Sequence, residues 1–280
     1  MGIFSDNPVL WREVRGRLRL RRSNRGTIWT ARIVGLVILY AYVRGLVAIG
    51  RGTPSDARDF WGVLTYLLLV LIVVLAPALA ATAITQEREQ QTWETLATTR
   101  LTAAQIIVGK WVARQFLPAL SLVIALPLYL GCSVHGEIAF SSTFAVLLFL
   151  LLTMALFSIL GLFCSFRAGR TTAATASALT LSIFLCLGTL ILDGLLRAFH
   201  LFGMGGGPYG GWGYGTETPV LWLNPFSALG ALISEMGVMR DLSGHYDAAA
   251  EGLVTGYVLT ALLLIAVCLS VMIRRYNKAL

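Results

Sequence analysis

Charge is what this 280-residue chain has least of: 13% of its residues are Asp, Glu, Lys or Arg, about half the share found in a soluble domain. So few polar side chains leave little room for a separate water-soluble catalytic domain, and the apolar excess equally excludes a disordered or collagen-like chain. Cysteine is scarce too. Cys132, Cys164, Cys186 and Cys268 show no C-x-x-C spacing and no nearby His pair, so neither a disulfide scaffold nor a metal site is expected, and all four read as small apolar packing residues. A phosphate-binding loop is also missing. Gly109-Lys110 is followed by Trp111 where such a loop needs Ser or Thr, and Ala104 stands where its first Gly belongs. What the chain has instead is 57% hydrophobic residues and a mean hydropathy of +0.76. Most of it must span a bilayer.

A spanning helix needs about 20 apolar residues, and six stretches qualify: about 28–49, 61–85, 112–134, 142–166, 171–196 and 253–273. Arg32 and Arg44 fall inside the first, each near an end, where a long side chain reaches the headgroups. The other five have charge-free interiors. Pro77, Pro118 and Pro127 lie within spans and remove amide donors, so kinks are expected there. Ala173, Ala174, Ala176, Ser177 and Ala178 give the fifth span a small-residue face for close helix approach, within the chain or against a second copy.

Orientation follows from Lys and Arg in the connections. With six spans, 17 of the 22 basic residues fall on the side of the two termini and 5 on the other, whereas 9 of the 14 acidic residues fall opposite. Both termini are expected in the cytoplasm. The pI near 9.7 is then a topology signal, with no role for nucleic acid. The charged stretch through Arg25 and the span-length run after it do not read as a cleaved signal.

Two segments outside the spans carry information. Asn7-Pro8 gives a helix cap with Pro at the first helical position, and Leu10, Val14 and Leu18 then repeat on one face. Trp11 lies beside that face and Arg12, Arg15, Arg19 and Arg22 around the rest, so residues 7–25, Glu13 among them, are predicted as an amphipathic helix lying on the membrane. Its arginines serve topology and anionic lipid on one reading, and a lever beside a partner on the other. Between the second and third spans, residues 86–110 form a cytoplasmic elbow. The second span's helix is expected to continue outward, break near Arg100 and restart at Thr102, where Thr102-Ala103-Ala104-Gln105 fits a capping box. Trp93 and Leu96, at i and i+3, share one face among Glu87, Arg88, Glu89, Thr92, Glu94, Thr99 and Arg100. An aromatic and an aliphatic anchor ringed by charge suit a protein-binding surface; a solvated hairpin with its Trp tucked under the bilayer is the alternative.

The run Ala81-Thr82-Ala83-Ile84-Thr85-Gln86-Glu87-Arg88-Glu89, then Thr92-Trp93-Glu94-Thr95-Leu96, then Thr99-Arg100-Leu101-Thr102 and finally Ile107-Val108-Gly109-Lys110 resembles the ABC-2 type permeases of bacterial ABC transporters. The opening Asn7-Pro8-Val9-Leu10-Trp11-Arg12-Glu13 and the later Asn224-Pro225-Phe226 are similar to further elements of that family. The resemblance covers the six-span layout from about residue 7 to 278, with its motif confined to 81–110. It implies an all-α membrane protein, 1–280 as a single domain, in the bacterial inner membrane. The elbow would be the coupling helix that docks ATPase subunits, with the interfacial helix beside it. ATP and magnesium would be bound by those partners. The permeases also pair through the first and fifth spans, which implies a second copy or a paralogue.

On the outer side, 199–251 is the only long connection. Its Gly-rich start, Gly203 to Gly215, lacks strand-to-helix context and reads as a flexible loop. Asn224-Pro225 then caps a short apolar stretch, Phe226 to Ile233, too short to cross and expected at, or dipping into, the outer interface. In the resembled family such an element caps the substrate path. Two other functions compete with transport driven by a separate ATPase. A membrane-embedded enzyme needs polar groups at depth, yet His135, His200 and His245 scatter near the outer face and Asp193 alone among acids approaches a span interior. An ion-coupled carrier or channel needs ionisable groups at mid-span, which are absent from the sequence there. A path lined by apolar and small residues points to a hydrophobic or amphipathic substrate, moved outward.

Overall fold

The computed structural model describes residues 52–91, 102–201, 219–235 and 248–279, together with 40, 42–47 and 49–50. All regular structure among them is helical. Of the first predicted span, the described residues include only 40, 42–47 and 49, all helical. The interfacial helix, with Trp11, Arg12, Glu13 and Arg15, lies outside the described residues.

Five described helices are long and apolar enough to cross a membrane. They are α1 (Pro54–Glu89), α2 (Ala103–His135), α3 (Phe140–Arg167), a composite helix at 171–201, and α7 (Ala248–Ala279). The composite consists of α4 (Thr171–Ile183), a π-helical turn (Phe184–Gly188) and α5 (Thr189–Leu201). A short 3₁₀ turn (Pro219–Leu223) and α6 (Pro225–Glu235) precede α7. These match the second to sixth predicted spans, because charge-free runs of this length can satisfy their backbone in lipid only as helices.

α1 opens at a capping box in which the Thr53 hydroxyl and the Asp56 carboxylate satisfy each other's backbone amides, with Pro54 in the first turn. Its 36 residues extend ~54 Å at 1.5 Å per residue. That outruns a hydrocarbon core of about 30 Å, so the helix projects beyond the apolar layer as a stalk. The chain leaves the helix at Gln90, and Gln91 adopts a left-handed φ of 55°. The helix therefore ends about ten residues before Arg100, where the sequence suggested a break. Arg88 and Glu89 reach sideways to neighbouring helices at this point, and a left-handed residue ends a helix. The predicted capping box at the restart is present: Gln105 Oε1 accepts from the Thr102 amide at 3.0 Å and Thr102 Oγ1 accepts from the Gln105 amide at 3.4 Å.

α1 is the hub, packing on α2, α3 and α4. Against α3 the approach is closest at Gly161, where an added Cβ would lie 2.7 Å from Pro77 Cα and closer still to the Pro77 carbonyl oxygen. Only a residue without a side chain fits. Toward the Pro54 end, the Trp61 and Tyr129 rings stack at 5.0 Å, and Thr65 Oγ1 donates to the Trp61 carbonyl and to the Tyr129 hydroxyl. α3 meets α7 through Phe149 and Tyr257, with the Tyr257 hydroxyl 2.9 Å from Thr153 Oγ1. The small face of α4 divides. Ala174 and Ala178 are buried with Ala81 of α1, whereas Ala173, Ala176 and Ser177 stay exposed on the single chain.

Candidate functional site

The Glu87-Arg88-Glu89 run sits where α1 emerges from the bundle, and each of its charges is engaged by a different element. Glu87 pairs with Lys110 of α2 at 2.6 Å, with the lysine side chain 1% exposed and the glutamate 14%. A buried ammonium persists only with a close counter-charge, so this pair fixes the start of α2 to the end of α1. Tyr276, near the end of α7, is buried. Arg88 Nη1 donates to the Ala168 carbonyl at 3.0 Å, and its guanidinium lies 5.9 Å from the Phe166 ring centroid, a cation–π contact. Glu89 accepts from the Thr171 amide at 2.7 Å and from Thr171 Oγ1 at 3.0 Å.

The last contact has a local cause. Arg170 occupies the N-cap of α4 and makes no side-chain cap bond, so the orphan amides of the first turn lack a nearby acceptor. The Glu89 carboxylate supplies one across 82 residues of sequence and places a negative charge at the positive end of the helix. Further into the bundle, Ser165 Oγ accepts from the Ile84 and Thr85 amides at 3.0 and 3.2 Å, entering the backbone ladder of α1. Arg114 Nη1 donates to Thr82 Oγ1 and to the Leu79 carbonyl, and Trp111 Nε1 donates to Ser158 Oγ at 2.8 Å. Four helices are thus tied together at the Glu89 end.

At the opposite end, Asn224 caps α6 as the sequence suggested. Its Oδ1 accepts from the Phe226 amide at 2.8 Å and the Ser227 amide at 3.3 Å, with Pro225 at the first helical position. Its Nδ2 goes elsewhere, donating to the Cys186 carbonyl at 2.8 Å and to Thr189 Oγ1 at 2.9 Å. Asn224 is fully buried, and Phe226 is half-buried against the core. The neighbouring Trp222 carbonyl accepts from Thr260 Oγ1 at 2.8 Å, and its ring covers Gly256 of α7.

Of the residues marked by sequence, the structure groups Glu87, Arg88 and Glu89 at one end and Asn224, Pro225 and Phe226 at the other. Thr92, Trp93, Glu94, Leu96, Thr99 and Arg100 lie outside the described residues. Sequence reasoning missed Lys110, Thr171, Ser165 and Thr189 as partners. The available signals were a single Lys in an otherwise apolar run and a helix start without a capping side chain. Among the described residues, no three His, Cys, Asp or Glu side chains gather in a way that could hold a metal ion.

Five apolar helices, three of them packed around or against one another through α1, with regular structure among the described residues entirely helical, define a multi-pass membrane protein. The sequence pattern of the ABC-2 family transporter proteins matches residues 9–279, and the chain belongs to that family. No curated protein matches the chain.

Proposed function

We propose that this chain is the permease subunit of a bacterial inner-membrane ABC transporter, with both termini cytoplasmic. Two copies, or this chain and a paralogue, would dock two separate ATPase subunits and export a hydrophobic or amphipathic substrate. ATP and magnesium belong to those partners. The observation that carries this reading is the mounting of the elbow: the helix that leads into residues 90–101 is held by α2, by the 168–171 turn and by α4. A force applied to the elbow by a partner reaches three helices through contacts of hydrogen-bond length. Residues Thr92, Trp93, Glu94, Leu96, Thr99 and Arg100 form the docking face on this reading, with the charges of Glu87, Arg88 and Glu89 bracing it from within. The exposed Ala173, Ala176 and Ser177 favour a second copy against α4, since small and hydroxyl side chains suit close helix approach better than lipid.

The test is co-purification in mild detergent, followed by mass spectrometry and an ATPase assay. The unaltered chain is expected to bring down a P-loop subunit in stoichiometric amount. Trp93→Ala with Leu96→Ala should lose that subunit while still inserting in the membrane. A chain that purifies alone and inert would refute the transporter reading, and unchanged co-purification of the double variant would refute the docking face. Orientation is tested by Ser142→Cys and Thr99→Cys in a cysteine-free background: an impermeant label should reach the first from outside and not the second.

A further inference from the structure

The π-helical turn Phe184–Gly188 interrupts an otherwise regular spanning helix, and the residue that fills it comes from another element. A π turn carries one residue more than the α turn it replaces, so carbonyls within it lose their usual donors. The Cys186 carbonyl accepts from Asn224 Nδ2 at 2.8 Å, with Thr189 Oγ1 also 3.4 Å away, and Thr189 Oγ1, which lies 2.7 Å from the Leu185 carbonyl, accepts the second Nδ2 proton. Counted from Asp193, the first charged side chain after the turn, Cys186 lies ~10 Å along the axis at 1.5 Å per residue, inside the apolar stretch of this helix. A fully buried primary amide at that depth must have all its bonds made, and Asn224 makes four: two to the composite helix and two to the first amides of α6.

We propose that Asn224 is a latch holding the π turn of the composite helix open, so that the 219–235 element and α5 engage and release together. Releasing Asn224 frees the turn to relax into α register. One residue of slack leaves the turn, which rotates α5 relative to α4 by about 100°, the angle per residue of a 3.6-residue helix, and lifts α6 from the bundle. The latch is a positioning device for α5. It requires both the acceptor and the two donor protons of a carboxamide: Asp keeps an acceptor for α6 but offers at most one O–H donor in place of two N–H donors, and an aliphatic residue has neither.

Cys186, buried within the turn, reports the state of the latch without nucleotide or substrate, so the test does not depend on the ATPase reading. The full-length chain is used in its own membranes, with Cys164 and Cys268 replaced by Ala. Labelling by N-ethylmaleimide is followed at Cys186 and at Cys132, a fully buried cysteine of α2 remote from the turn. Asn224→Asp and Thr189→Val are each expected to accelerate labelling of Cys186, by about fivefold for each hydrogen bond lost, with Cys132 unchanged. Thr189→Ser should restore the slow rate. If neither variant accelerates Cys186, or if Cys132 accelerates equally, the latch is refuted. Thr189→Val, nearly isosteric, keeps the test decisive should Asn224→Asp fail to insert.

Discussion

Replacing Gly161 by alanine puts a methyl group where the main chain of Pro77 already lies. The new Cβ would sit 2.7 Å from Pro77 Cα, against an ordinary carbon–carbon contact of about 3.5–4.0 Å. The two helices must therefore part by roughly 1 Å at their closest crossing, a gap that forfeits a quarter to a half of the dispersion energy of each pair it opens. Overpacking of this kind costs about 1–3 kcal/mol. The upper end applies because both obstructing atoms belong to the backbone and no rotamer can yield. Two other glycines calibrate the effect. At Gly256 an added Cβ meets the Trp222 ring at 2.6 Å, a side chain that can shift, whereas at Gly169 nothing lies within 4 Å. Thermal melts of the three Ala variants in one detergent should rank Gly161 below Gly256 below Gly169. Gly161→Ala should lose roughly 5 °C or more, and Gly169→Ala should stay close to the unaltered protein. If Gly161→Ala melts with Gly169→Ala, the proposed close contact of α1 and α3 is wrong.

The remaining expectations concern the polar ties. Lys110→Met removes the cation beside Glu87 and should cost about 3 kcal/mol, the lower part of the range for a broken buried pair. Lys110→Met with Glu87→Met should recover most of that loss, and a double variant no more stable than the single one would count against a paired role. Glu89→Ala should cost about 1 kcal/mol, as for loss of a helix cap, and should speed hydrogen exchange at the Thr171 to Ala174 amides while leaving α3 protected. Equal exchange in both proteins would show that α4 is capped by another group. Thr102→Ala should cost a similar amount and loosen only the first turn of α2, read by exchange at Gln105.

The sequence makes the spans legible because each is a charge-free run whose backbone has no alternative to helix in lipid. It also exposes the caps made within a few residues, Thr102 with Gln105 and Asn224 with the amides of Phe226 and Ser227. Ties between distant residues are hidden from it. Glu89 and Thr171 stand 82 positions apart, and nothing local to either names the other. The π turn is hidden for the same reason: Phe184 to Gly188 read as ordinary helix, and the reason for the extra residue lies at Asn224. The early end of α1 likewise follows from the lateral contacts of Arg88 and Glu89, since Gln90 and Gln91 carry no breaker signal. The three charges at the start of the elbow look from sequence like a surface, whereas in the structure they also bind the bundle together.

The Ser165 hydroxyl bears on how the molecule can move. It engages two successive amides of α1, one turn from the bundle's edge, while Gly161 seats the same helix pair at Pro77. Two fixed points on one pair of rods remove both sliding along the common axis and rolling about it. α1 and α3 thus have the kinematics of a single beam, able to tilt but not to piston. A displacement at the Glu89 end would then carry both helices together.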